Sequence, residues 1–388
     1  MSLQTARAPE LAARAQSLAM GAAGTALLSV ERARNGAGSW EEVHAALAAC
    51  TRYPLIADQN ASLYFGAPAV AFAIHTAAHG TGRYEGALRS LDAQVTALIR
   101  RRLDQAHQRI DRGERPRVGE FDLFYGLTGL GSYLLRRDPQ SEALSGILSY
   151  LARLTLPLAD DDEQLPGWWT DLDPSGGSSD TFAGGHGNLG MAHGISGPLA
   201  LLSVAKLHGV TVDDHTATIE RIVSWLDTLR QEEETGPWWP NWINLVEHRS
   251  GTISHSGPLR PSWCYGTPGL ARAQQLGALA LGDTTRQHMA EHALRRCLAD
   301  LNQLAQICDA GLCHGAAGLL HTVHRVAHDA PAGAFTEHLP RLRALLLDQQ
   351  PARESGLLEG TTGPSLALLA DDSGGTTASG WDACLLVG

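Results

Sequence analysis

The chain has 388 residues, 44% hydrophobic and 18% charged, an ordinary globular composition that can bury a large core. Its formal net charge of -11 argues against nonspecific binding to nucleic acid or to an anionic membrane, since both need a basic surface. No run is long enough to span a bilayer.

The six cysteines, Cys50, Cys264, Cys297, Cys308, Cys313 and Cys384, are few for this length. They predict free thiols in a reducing, cytoplasmic compartment rather than a disulfide framework. The stretch Leu18 to Leu28 has the look of a signal h-region, but acidic Glu10 precedes it and no basic cluster does. It also contains Gly21-Ala-Ala-Gly24, a tetrapeptide that returns as Gly315-Ala-Ala-Gly318, so it reads as part of the fold.

That tetrapeptide is one copy of a repeat. In chain order the turns are Gly21-Ala-Ala-Gly24, the imperfect Gly66-Ala-Pro-Ala69, Gly126-Leu-Thr-Gly129, Gly194-Ile-Ser-Gly197, Gly266-Thr-Pro-Gly269, Gly315-Ala-Ala-Gly318 and Gly360-Thr-Thr-Gly363. They recur at intervals of roughly 45 to 70 residues, the signature of a repeat architecture. Glycine permits a tight turn and a close backbone approach where a helix starts. The helices that follow, such as Pro198 to Ala205, are apolar nearly all round and so predicted to be buried on every side. Between them lie amphipathic helices, over Ala87 to Arg101 and over Thr218 to Leu229. No alternating strand pattern of useful length appears. Buried inner helices alternating with amphipathic outer ones predict an all-α fold, an α/α toroid of seven repeats, with residues 1–388 forming one domain.

Two loops exceed what a repeat needs. One runs from Asp160 to Asp180 and carries Trp168 and Trp169; the other runs from Glu232 to Pro258. Both precede turns loaded with polar residues, which predicts that they roof one mouth of the ring.

The chemistry gathers at the turns. Cys264 stands just before Gly266, and Cys313 and His314 just before Gly315. The repeat carries both turns to equivalent places, so two thiolates and one imidazole meet. This mixture suits zinc, and three protein ligands leave a fourth position open, as in catalytic zinc sites. His193 precedes Gly194 as Tyr265 and His314 precede their glycines, which aims it at the same space as a general acid or base. Asp122, in the apolar approach to Gly126, has two readings: a partner for His193, or a helix N-cap. Arg260 either steadies a developing anion or is a solvated loop residue. Tyr265 either donates a hydrogen bond or packs. His321, His324 and His328 share one helix face with no carboxylate or thiol to complete a metal set, and His186 reads as a bystander. Cys50, Cys297, Cys308 and Cys384 have no ligand-like context.

The segments Gly190-Met-Ala-His-Gly-Ile-Ser-Gly197, Trp263-Cys-Tyr-Gly-Thr-Pro-Gly269 and Cys313-His-Gly-Ala-Ala-Gly318, with the closing Leu357-Leu-Glu-Gly-Thr-Thr-Gly363 and Trp381-Asp382, together resemble the LanC-type lanthipeptide cyclases. The resemblance runs from about Leu18 onward and is highly specific from His193. It implies an α/α toroid of seven inner and seven outer helices, with one zinc per chain held by Cys264, Cys313 and His314. It further implies His193 as acid/base, and Asp122, Arg260 and Tyr265 as polar residues around the metal. An inserted substrate-handling subdomain is not evident. The implied reaction is Michael addition of a substrate cysteine to dehydroalanine or dehydrobutyrine in a dehydrated precursor peptide, with a dehydratase complex as a candidate partner. The rival expectations are a zinc enzyme adding glutathione or another small thiol to dehydrated proteins, and a zinc-stabilised scaffold presenting the peptide. An α/α-barrel glycosidase ranks last, because Asp122 has no evident carboxylate partner.

Overall fold

The computed structural model describes residues 10–158 and 164–388. The acidic run from Asp160 to Glu163 lies outside the described residues.

Each glycine turn opens a helix within two residues of its first glycine. In chain order the main helices are α1 (Ala22–Arg34), α2 (Trp40–Cys50), α3 (Ala67–Ala78), α4 (Glu85–Asp111), α5 (Leu127–Arg137), α6 (Glu142–Leu154), α7 (Ser196–Leu207), α8 (His215–Thr228), α9 (Thr267–Leu281), α10 (Thr284–Ala299), α11 (Ala316–Asp329), α12 (Leu339–Asp348) and α13 (Thr362–Asp372). The odd-numbered helices follow the glycine turns. Each packs on the next odd-numbered helix, and α13 packs back on α1, so they close a ring. Each even-numbered helix lies against the odd-numbered helix before it and makes the outer layer. This is an α/α toroid. After α13 the chain makes a 3₁₀ turn, Trp381–Leu385, and among the described residues no outer helix follows there.

The layers follow from side-chain distribution. In α7 every residue from Ser196 to Ala205 is buried, as a helix without a polar face requires. In α4 only a stripe including Leu88, Leu91, Val95, Leu98 and Ile99 is buried, and its other face meets solvent. Each such leucine, fully buried, contributes about 1.5–3 kcal/mol. The outer helices also carry their own start signals. Ser39 and Glu42 form a reciprocal capping box at α2, and Ser141 caps α6.

The repeated glycines have a steric cause. A Cβ at Gly269 would lie 2.0 Å from the carbonyl oxygen of Trp263, and one at Gly318 would lie 1.9 Å from that of Leu312. In both cases the helix start rests on the carbonyl six residues back. These approaches gather the turns at one mouth of the ring, where backbone hydrogen bonds link six of the seven into a rim. Leu18 N–H donates to Tyr64 O, Leu358 N–H to Ala19 O, Leu312 N–H to Leu358 O, Cys264 N–H to Cys313 O and Met191 N–H to Cys264 O.

The segment after α13 spans the centre of the ring. Cys384, Leu385, Leu386 and Val387 are buried there. Tyr64 OH donates to Cys384 O at 2.8 Å, and Ser132 Oγ to Ala383 O at 2.7 Å. From the far side Trp263 Nε1 donates to Leu385 O at 3.0 Å and Arg272 Nε to Val387 O at 2.7 Å.

Four three-residue strands complete the description: β1 (His186–Asn188), β2 (Gln231–Glu233), β3 (Gly236–Trp238) and β4 (Trp242–Asn244). β1 pairs antiparallel with β4, His186 opposite Asn244, and β2 with β3. The first pairing, together with the bridge from Thr170 to His186, ties the two long loops together. The second is a hairpin that lies against outer helix α10, so the acidic Glu232 and Glu233 sit at the outer layer.

His75, in the buried wall of α3, has both ring nitrogens buried without a hydrogen-bond partner among the described residues. Burial, followed by the charges of Arg136 and Arg137, lowers its pKa to about 4, against an ordinary 6.5. Between those values the unfolded chain binds the extra proton, so stability falls as pH drops through the window. His75→Phe keeps the ring and removes the proton site. It is expected to stabilise the protein more at about pH 5 than at about pH 8, read from urea midpoints. An equal change at both values would contradict this assignment.

Candidate metal centre

Cys264 and Cys313 each stand two residues before the first glycine of adjacent turns, and the rim bond from Cys264 N–H to Cys313 O, 3.1 Å long, joins them directly. Their sulfurs and one ring nitrogen of the neighbouring His314 all lie within 4.8 Å of one another. Ligand atoms around a tetrahedral zinc are roughly 3.3–3.8 Å apart, so small side-chain adjustments bring this set to bonding distance. Among the described residues it is the one group of three or more His, Cys, Asp or Glu side chains so arranged.

The thiols are not equivalent. The Cys264 thiol ionises well below its ordinary value, because Cys313 and then His314 hydrogen-bond to its sulfur in spite of burial. The same hydrogen bond and burial push the Cys313 thiol up, with Glu359 adding to the rise and the Arg260 charge opposing it. The pair thus loses its first proton early, the state in which a thiolate ligates a metal. His314 is raised, chiefly by its hydrogen bond to Cys264. Elsewhere the thiols of buried Cys50, Cys297 and Cys384 are pushed up by desolvation, Cys50 to about 12, as inert core cysteines are. Cys308 is exposed.

His193 and Asp122 meet. His193 Nδ1 lies 2.7 Å from Asp122 Oδ2, while Asp122 Oδ1 accepts from the N–H groups of Tyr125 and Gly126, both at 2.7 Å. The partner reading of Asp122 therefore holds and the helix N-cap reading does not: α5 has Gly126 as its N-cap, and Asp122 braces the turn ahead of it while anchoring the histidine. An acceptor at Nδ1 makes that nitrogen the protonated one and leaves Nε2 for a substrate. Asp122 is fully buried; His193 is 32% exposed, enough for a substrate to reach it.

Tyr265 lies beside them, its ring 6.5 Å from that of His193. Its hydroxyl accepts from Asn188 Nδ2 at 3.0 Å, so its own proton remains free to donate. Burial and the nearby Cys264 raise its pKa although the Asn188 hydrogen bond lowers it, which keeps that proton in place. Arg260 is half-buried, and its charge bears on both Cys313 and His314.

Reading the sequence alone misses Tyr125 and Asn188. Tyr125 stacks on His193 with ring centroids 5.7 Å apart and is 53% exposed. Its signal was present: it precedes Gly126 just as His193, Tyr265 and His314 precede their glycines. Asn188 ends β1 and fixes both Tyr265 and the Gly190 N–H. The reading of His321, His324 and His328 as no metal set holds among the described residues, although carboxylates do meet them. Each has a carboxylate, but a different one: Asp382 at 2.9 Å, Asp371 at 2.7 Å and Asp329 at 3.1 Å. Separate partners make them paired histidines and no common ligand set. His186 is buried, with Nδ1 2.7 Å from Leu172 O.

The profile of the "Lanthionine synthetase C-like protein" family matches residues 13–386. The nisin biosynthesis protein NisC of Lactococcus lactis subsp. lactis is 24% identical over an aligned length of 316 residues that covers 79% of this chain and 73% of that protein. A solved structure named nisin cyclase shares the fold with a TM-score of 0.81 at 21% identity, over 96% of this chain and 92% of that one.

Proposed function

The chain belongs to the lanthionine synthetase C-like family, and from that premise we propose that it closes thioether rings in a ribosomal precursor peptide whose serines or threonines have been dehydrated. Residues 1–388 act as one cyclase domain in the cytoplasm, with one zinc per chain. The observation that carries the reading is the placement of the Cys264, Cys313 and His314 donors and the His193–Asp122 pair on neighbouring turns of one rim. No helix among the described residues is long and apolar enough to cross a membrane.

Cys264, Cys313 and His314 would hold the zinc, which when bound would keep a substrate cysteine deprotonated. The substrate thiolate adds to the β-carbon of dehydroalanine or dehydrobutyrine. As the C–S bond forms, the π pair moves to the α-carbon and the adjoining carbonyl oxygen. Tyr265 OH and the Arg260 guanidinium stabilise that oxygen as charge develops. His193, held at Nδ1 by Asp122, takes up at Nε2 the proton that the cysteine loses and then delivers it to the α-carbon, so the step balances.

Addition within one molecule leaves its mass unchanged. A dehydrated peptide with a free cysteine, incubated with the zinc-loaded protein, should therefore lose its alkylatable thiol at constant mass. A thiol that stays alkylatable overturns the proposal. Faster appearance of a glutathione adduct when both nucleophiles are present would replace it with small-thiol addition.

A further inference from the structure

Next to the rim the structure opens into a cavity of about 800 Å³, within the range of sites that enclose a ligand of several small units. Its lining includes His193, Asp122, Tyr125 and Asn188 but none of Cys264, Cys313 and His314. It therefore meets the site from the histidine side, away from the sulfur-binding atoms. Its outer walls are α4, the single helical turn Val118–Phe121 and the loop from Thr170 to Gly176.

Four arginines (Arg102, Arg109, Arg115, Arg117) and four carboxylates (Glu114, Glu120, Asp122, Asp173) line the cavity, so their formal charges cancel. Arg109 grips both oxygens of Glu120, which also accepts from Tyr150 OH. Arg102 donates to the carbonyls of Gln59, Ala61 and Tyr125. Facing the space are the amides of Gln59, Asn60 and Gln105 and the exposed ring of Tyr125. The lining offers hydrogen bonds and one flat π-face at the junction with His193, and its opposite charges balance. That suits an uncharged stretch of peptide with a planar residue.

We infer that this cavity receives the peptide segment bearing the dehydrated residue, while the cysteine-bearing segment reaches the donor set from the other side. The inference rests on the proposed reaction. The planar, uncharged dehydro residue lies against Tyr125, and its α-carbon faces the one nitrogen of His193 that is not held by Asp122. The carbon that must be protonated and the atom that protonates it then share one compartment, and the sulfur arrives from another.

Two substitutions fill the cavity from separate walls: Gln105→Trp on the exposed face of α4, and Gly119→Trp, whose Cβ makes only ordinary contacts with Tyr125. The probe is a short cysteine-free peptide containing dehydroalanine, titrated by calorimetry into the zinc-loaded protein. Wild type is expected to bind it saturably, and each filled variant at least about tenfold more weakly. A small thiol should still give the same thiolate absorption band in cobalt-substituted variants as in wild type. Unweakened binding of the peptide by both variants, no binding by wild type, or loss of the thiol band in both variants overturns the inference. Binding by wild type that is lost in the variants, in a protein that closes no ring in any dehydrated peptide, supports the cavity assignment and counts against the proposed reaction alone.

Discussion

Replacing Cys264 with alanine is expected to remove zinc and ring closure together. Zinc content should fall from about one per chain in wild type to near none, because the site would keep a single thiolate and a single imidazole. Cys313→Ala should behave the same way, since the two sulfurs share one site. Both changes shorten a side chain at a rim held by backbone hydrogen bonds, so the helical circular dichroism should be preserved. Cys297→Ala is the matched control: a buried thiol on an outer helix, remote from the rim, whose loss should leave metal and activity intact. Elemental analysis of the four proteins decides the point. Zinc that survives both rim substitutions would break the link between the paired cysteines and the chemistry.

His193→Ala is expected to separate binding from turnover. Zinc should stay at its wild-type level, because the histidine lies outside the donor set. The rate of thiol loss should fall by about 10²–10⁴, the range for removing a positioned general acid or base. Asp122 would keep two of its hydrogen bonds, from the Tyr125 and Gly126 N–H groups, so the turn ahead of α5 should survive. A His193→Ala protein that closes rings at the wild-type rate would place the proton donor elsewhere, with Tyr265 the next candidate.

The parts of this architecture that were readable in the sequence are those with a local steric or periodic cause. The second glycine of a turn is required because the carbonyl six residues back leaves no room for a Cβ, and that requirement recurs as spelling. The inner helices declare themselves because no face of them meets water. The donor set was readable because equivalent positions in a closed ring must be neighbours, which converts a sequence repeat into a distance. What stayed hidden depends on partners far along the chain. His321 finds Asp382 61 residues later and His324 finds Asp371 47 residues later, and no pattern around either histidine announces it. β1 and β4 pair over only three residues each, too few for an alternation to show. The segment through the ring centre is bound largely through its carbonyl oxygens, which every sequence possesses. Tyr125 is the instructive omission. Its position in the repeat matches that of His193, but a tyrosine does not by its residue type alone point to metal or proton chemistry.

That central segment also orders events during synthesis. Residues 381–387 leave the ribosome after all seven inner helices, so every earlier stage of the nascent chain has a ring without its axle. At those stages the buried donors of Tyr64, Trp263 and Arg272 lack the carbonyls that satisfy them, and an unsatisfied buried donor costs about 1–3 kcal/mol. Trp263 is the immediate neighbour of Cys264. The loop that bears this thiol therefore gains its last support when the axle arrives.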